Sequence, residues 1–292
     1  MPNYSIKDLE NLTGIQAHTI RIWEQRYKLL SPERTPTNIR IYSDKDLRKL
    51  LSVALLNNNG LKISKIAKLS DTDVAEAVLR LAESTDSNLE NHINTLKLIM
   101  IEMNEAKFEK LFSHLVLQMG FEETIMRVFV PFFKRLAYLW QTESVSLIQI
   151  YFISSLFKQK LYVAIDGLTT AEAVDKKTFI LFLPKTEFLD NNLIFCNYLS
   201  RKAGHKVYYF GVSSPADEII DLLQKNPGCY LISVVSMAQI DVTAYYNKIL
   251  AACNDGQQLV VSGNQANIIK ISDPRFTYFE DLADYKKMLD NL

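Results

Sequence analysis

Glycine and proline are scarce, nine and eight in 292 residues. So little turn-forming material excludes a large all-β protein and a long flexible linker, and helices should dominate. Cysteine is scarcer still. Cys196, Cys229 and Cys253 are odd in number and widely spaced, which fits reduced thiols acting as small buried hydrophobes better than a disulfide framework or a zinc site. No apolar run approaches the roughly 20 residues that span a bilayer, and the start Met-Pro-Asn-Tyr-Ser has neither the basic end nor the apolar core of a secretion signal, so a soluble cytoplasmic protein is expected. Neither charge is in excess, with 33 Lys+Arg against 33 Asp+Glu. Phosphate-binding glycine motifs are missing as well: there is no Gly-x-Gly-x-x-Gly and no Gly-x-x-x-x-Gly-Lys-Ser/Thr. Adjacent carboxylates such as Glu122-Glu123 and Glu280-Asp281 diverge on a helix and make no acid/base pair. The expectation is a non-enzyme with no metal site.

What is present is 48% hydrophobic side chains over a length that suits two or three domains. Residues 16–49 carry eight Lys or Arg against four Asp or Glu, a basic segment inside a balanced chain. That surplus is a weak footprint for a polyanion.

Along the chain, Ile6, Leu9 and Leu12 recur at helical spacing and Thr13-Gly14-Ile15 supplies a tight turn. A second helix from about Gln16 carries Ile20, Trp23 and Tyr27 on one side and leaves Arg21, Gln25 and Lys28 on others. Pro32 and Pro36 make 30–41 a loop or a two-stranded wing. Ser43-Asp44-Lys45-Asp46 starts the next helix, 47–57, and another begins at Ile63. The polar stretch 84–88 marks a boundary. Beyond it, 89–167 is almost unbroken helical pattern with breaks at 103–104, 120 and 141–143, which predicts a four-helix bundle with a kink at Pro131. From Lys177 strands alternate with helices: strands at 178–183, 206–210, 229–235 and 258–261, helices to 203, over 215–225 and over 242–253. This predicts a doubly wound parallel sheet of about five strands, with ligands at the strands' carboxyl ends.

The N-terminal motifs Tyr4-Ser5-Ile6-Lys7-Asp8-Leu9, Thr13-Gly14, Thr19 through Tyr27 and Arg40-Ile41-Tyr42-Ser43-Asp44 resemble the MerR family of winged-helix transcription regulators. Trp23-Glu24-Gln25-Arg26-Tyr27 is similar to the CarH, CarA and LitR type within it, which joins such a reader to a helical bundle and a flavodoxin-like cobalamin-binding domain. The resemblance implies three domains: an all-α winged helix-turn-helix DNA-binding domain over 1–84, a four-helix bundle over 89–170, and an α/β flavodoxin-like, Rossmann-like sheet over 176–292. It implies duplex DNA as partner, contacted by Gln16, Thr19, Arg21, Arg26, Tyr27, Arg34, Arg40 and Tyr42. Ile20 and Trp23 would anchor the back of the reading helix, Arg40 and Tyr42 would clamp phosphates, and Glu24 would partner a nearby arginine.

The second half departs from that resemblance. Such cobalamin domains carry D/E-x-H-x-x-G, whose histidine ligates cobalt, but Glu187-Phe188-Leu189-Asp190-Asn191-Asn192 stands here, with Leu189 for histidine and Asn192 for glycine. Trp140 is kept in the bundle, yet Ile150-Tyr151 replace the Glu-His pair at the cofactor's upper face, and Ser262-Gly263-Asn264 keeps part of a Gly-Gly turn. None of His18, His92, His114 and His205 falls at a ligand position. Ser233 and Ser236, after the third strand, serve a ligand or a helix cap. Trp140, Tyr151, Glu187, Leu189, Asn192, Ser233 and Gly263 thus outline a degenerate site. No cofactor is expected, cobalamin included, and the bulk at Trp140, Tyr151 and Leu189 predicts that these side chains are buried. The expected function is a sequence-specific DNA-binding regulator, a repressor, acting as a homo-oligomer with a protein or small-molecule effector. Two alternatives stay open: a sensor holding a corrinoid without histidine or another small molecule, and a corrinoid-dependent enzyme component.

Overall fold

Ser5 and Ser43 start their helices in the same way. In the computed structural model of the chain each serine accepts from the backbone N–H three residues on, Asp8 or Asp46, whose carboxylate accepts from the serine N–H in return. These reciprocal boxes satisfy end groups that a helix leaves open. The structure describes residues 4–83, 89–168, 176–185, 187, 189–235, 242–263, 269–279 and 281–292. The expectations for 84–88, Phe188, Ser236, Asn264 and Glu280 lie outside them. The chain divides into two compact units, 1–153 and 154–292.

In the first unit, α1 (Ile6–Thr13) ends at Gly14, whose φ of 74° suits a residue without Cβ. Next come α2 (Ala17–Tyr27), a two-stranded antiparallel wing of β1 (Glu33–Arg34) and β2 (Arg40–Ile41), α3 (Asp44–Asn58), α4 (Ile63–Ile66) and α5 (Asp71–Glu83). Tyr4 and Tyr42 exchange backbone hydrogen bonds of 2.9 Å, tying the root of the wing to the start of the chain.

The helices α6 (Leu89–Glu102), α7 (Glu105–Met119), α8 (Phe121–Thr124) and α9 (Val130–Gln141) follow, then α10 (Leu147–Asp166), which passes from the first unit into the second. Before Pro131, where a kink is expected, a π-helical turn spans Ile125–Phe129, and Val130 N–H reaches back to Ile125 O. Proline has no N–H and its ring presses on the preceding turn, so one widened turn relieves the strain. Helix α6 is buried all round, from Asn91 to Ile101 except Asn94. Such a helix must sit inside a core: it packs against α3 and α5 as well as α7 and α9. Polar ties reinforce that packing. Asn59 and Asn91 exchange side-chain hydrogen bonds of 2.9 and 2.6 Å, Lys97 Nζ donates to Leu12 O at 3.0 Å, and Ser144 Oγ donates to Asp8 at 3.1 Å.

In the second unit β3 (Thr178–Phe182), α11 (Asn191–Lys202), β4 (Lys206–Gly211), α12 (Ala216–Leu223), β5 (Tyr230–Val234), α13 (Thr243–Ala252), β6 (Gln258–Ser262), β7 (Phe276–Phe279) and α14 (Leu282–Asp290) follow in sequence. Among the described residues the sheet has the order β4-β3-β5-β6-β7, all parallel. β3, β5 and β6 are buried almost throughout because helices cover both faces. α12 and α13 pack on Ile180, Phe182, Leu231, Leu259 and Val261, while α11 packs with α14, where Ser200 Oγ and Tyr285 OH lie 2.6 Å apart. This is the flavodoxin-like order, with its switch point between β3 and β5. Sequence periodicity placed four of these strands. The edge strand β7 and α14 escaped it, because Phe276-Thr277-Tyr278-Phe279 is half-buried throughout and shows no alternation.

Candidate nucleic-acid interface

Helix α2 presents one polar side and anchors the other. Ile20 is fully buried and Trp23 nearly so, whereas Gln16, His18, Arg21, Gln25, Arg26 and Lys28 are exposed. Gln16 is the residue before the first turn, and its side chain caps nothing. Thr19 is half-buried with its hydroxyl 3.2 Å from His18 Nε2. Tyr27 is half-buried beneath the Arg26 guanidinium, which lies 5.5 Å from the ring centroid. Exposed amide, hydroxyl and guanidinium groups on one helix are the donors and acceptors that base edges and phosphates require.

The wing is held against this helix by Glu24. Its carboxylate accepts from Arg40 Nε at 3.0 and 3.1 Å and from Tyr42 OH at 3.1 Å. Burial, then the charge of Glu24, pushes the Tyr42 phenol up to about 12. The arginine partner expected for Glu24 is therefore Arg40. Tyr42, expected to clamp phosphate, has its side chain wholly buried and its hydroxyl bonded to Glu24, where it supports the wing. Arg34 stands opposite Arg40 across the ribbon, exposed, donating to Asn38 Oδ1 at 2.6 Å. At the wing tip Asn38 takes a φ of 67° and Ile39 is 62% exposed. Ile22, 51% exposed between Arg21 and Trp23, also lies on the open side of α2. Ile22 and Ile39 were missed by the sequence reading, since an isolated apolar residue in a helix or loop looks like core.

Residues 4–73 match the family model described as MerR HTH family regulatory protein. The chain carries a MerR-type helix-turn-helix domain. The MerR-type domain is 41% identical over 66 residues to the HTH-type transcriptional repressor CarH of Myxococcus xanthus, a match covering 23% of this chain and 22% of CarH. It is 33% identical over 76 residues to the HTH-type transcriptional regulator MlrA of Salmonella typhimurium, covering 26% of this chain and 31% of MlrA. The match to each of these two relatives thus spans less than a third of its length. Following the MerR-type domain, residues 92–165 match the family model described as B12 binding domain. In fold the chain is similar to the monomethylamine corrinoid protein of Methanosarcina barkeri, with a TM-score of 0.54 at 14% identity over 70% of this chain and all of that one. Among the described residues no helix is long and apolar enough to cross a membrane.

The strand ends of the second unit carry Glu187, Leu189, Asn192, Ser233 and Gly263. After β3, Glu187 and Leu189 are buried and Asn192 is half-buried in the first turn of α11. Asp190 is held by an ion pair with Lys158 of α10 and accepts from Tyr209 OH at 2.8 Å, and Asn191 Nδ2 donates to Ser154 Oγ at 3.1 Å. Burial, then the Asp190 charge, raises the Tyr209 phenol far above its ordinary range. Ser233 is buried with its hydroxyl 2.8 Å from Tyr246 OH. Gly263 follows β6 with a φ of 115°, and a Cβ there would lie 2.3 Å from Val235 O. His205 of the second unit precedes β4, with its ring 4.8 Å from that of Phe179, and His18, His92 and His114 belong to the first unit. In the first unit Trp140 is half-buried and Ile150 buried. Tyr151 is 42% exposed, which corrects the expectation that it is buried; it lies on the open side of α10 beside Ile148, 62% exposed.

Proposed function

We propose that the protein is a sequence-specific regulator of transcription, a repressor that reads duplex DNA with α2 in the major groove and the wing against the backbone. The observation that carries this reading is the exposed donor and cation face of α2, backed by Ile20 and Trp23, beside a wing bearing Arg34. Gln16, Thr19, Arg21 and Arg26 are the base- and phosphate-facing residues in this reading, with Tyr27 supporting Arg26. Arg34 contacts phosphate, and Arg40 positions the wing through Glu24. One reading helix and one wing make a small contact, so function needs at least two copies on repeated sites. The named regulators to which the first 75 or so residues are similar support a non-enzymatic, cytoplasmic role. Selection from a random duplex library, followed by anisotropy titration of the enriched sequence, tests the reading. Arg21→Ala should weaken binding at least tenfold, and Arg34→Ala should lower the slope of log affinity against log salt by about 1. No enrichment, or salt-independent binding, defeats it.

The second unit is proposed to work without a histidine-ligated corrinoid. The loop after β3 offers Leu189 in place of an imidazole, and its neighbour Asp190 is engaged by Lys158 and Tyr209. The alternative of a corrinoid held without histidine is favoured by the match at 92–165 and is tested by absorbance below. The modules proposed are 1–84, 89–170 and 176–292.

A further inference from the structure

A cleft of about 210 Å³ opens inside the first unit, bounded by α3 and α5 on one side and α6 and α7 on the other. Val74, Val78, Leu98, Ile99 and Leu111 line its interior, and all five are buried. Its lining also contains Lys45, Arg48, Lys49, Lys107 and Lys110 against two carboxylates, Asp71 and Glu102. Both carboxylates already face cations: Lys49 Nζ lies 3.7 Å from Asp71, and Lys107 Nζ donates to Glu102 at 2.7 Å. The lining thus holds five cationic side chains to two carboxylates, with Lys45 and Lys110 exposed and Arg48 half-exposed.

We propose that this cleft binds a small amphipathic anion, an unbranched apolar chain ending in a carboxylate or a phosphate ester. The chain would replace water against the aliphatic walls, where removal of apolar area from water supplies the drive. The head would stay near the mouth, between Arg48 and Lys110. A neutral head gains nothing from that field and a cationic head is repelled by it, so the charge of the lining decides the class of ligand. DNA backbone contact would use the cations alone and leaves the aliphatic interior without a purpose. The site draws on both the MerR-type helices and the first two helices of the bundle, and it does not depend on what α2 reads.

Calorimetric titration of the full chain with decanoate, decyl phosphate, decanol and decyltrimethylammonium tests the proposal. The expected result is one site per chain for an anion, at least tenfold tighter than for the alcohol or the ammonium. Decanoate and decyl phosphate are separate arms, and the tighter one identifies the head group. Arg48→Glu combined with Lys110→Glu should weaken anion binding at least tenfold, and Val78→Trp should abolish it by filling the interior. If Val78→Trp fails to fold by circular dichroism, Ala75→Trp at the exposed lip carries the same test. Equal binding of the ammonium overturns the proposal. So do undiminished binding in a folded filled-cleft variant, several sites per chain, and no binding of either anion.

Discussion

Lys97 of α6 donates its Nζ to the carbonyl of Leu12, 3.0 Å away at the end of α1. An ammonium beside the last carbonyls of a helix is favoured by the dipole and satisfies an otherwise open acceptor. Burial nevertheless dominates and pulls the Lys97 ammonium down to about 8, with Arg135 adding to the shift and Glu90 opposing it. The tie makes the MerR-type helices and the bundle a single packed body.

That depressed value sets a pH dependence. Between about pH 8 and the ordinary lysine value near 10.4, the unfolded chain binds the proton and the folded chain does not, so stability rises with pH in that window. The gain is complete above the unfolded value and is lost as pH falls through 8. Its full size is about 3 kcal/mol by linkage. Urea unfolding of wild type and Lys97→Met from pH 7 to 10.5 should show their stabilities diverging by that order in favour of wild type; parallel curves would mean that Lys97 titrates normally.

Glu24 joins the reading helix to the wing through two partners with different jobs. Tyr42→Phe removes one hydroxyl from a carboxylate that keeps Arg40, so it should cost about 1 kcal/mol of stability and leave DNA affinity within roughly twofold. Glu24→Gln removes the carboxylate charge that Arg40 and Tyr42 face and should cost about 1 to 3 kcal/mol, lowering DNA affinity because the wing loses its fixed position. A Tyr42→Phe protein that binds DNA much more weakly than Glu24→Gln would return the phenol to the interface.

Sequence alone made legible what local rules determine. The serine starts, the Gly14 turn, the wing between prolines and the strand-helix alternation each rest on neighbours in the chain. The role of Tyr42 did not, because its burial depends on Glu24, eighteen residues away, and on the Tyr4 backbone. Lys97 gave a partial signal, a cation inside the apolar run of α6, but its acceptor lies 85 residues away. The cleft between α3, α5, α6 and α7 gave none, since its walls read as ordinary core-facing helices.

Dark incubation of the purified chain with adenosylcobalamin, followed by gel filtration, should give no co-eluting spectrum of a histidine-ligated corrinoid, and DNA binding should not respond to light. Leu189→His alone should not create that spectrum, since Asp190 and Asn191 beside it are held by Lys158, Tyr209 and Ser154. A co-eluting, light-sensitive corrinoid on the wild-type protein would revive the sensor reading.

Two positions of the degenerate site should respond unequally to substitution. Gly263 is fixed by its own chain: with φ at 115° and Val235 O only 2.3 Å from any added Cβ, alanine must push β6 away from the end of β5. There Val235 N–H donates to Ser262 O at 2.7 Å. The close approach is between backbones, so no side chain can swing aside, and Gly263→Ala should cost roughly 2 to 4 kcal/mol without any cofactor present. Asn192 is a half-buried residue in the first turn of α11, and Asn192→Gly should cost only about 0.5 kcal/mol from helix propensity. Thermal unfolding of both variants separates a glycine kept for packing from one kept for a ligand. Near-wild-type stability of Gly263→Ala would show that the turn yields, and that backbone crowding does not explain its glycine.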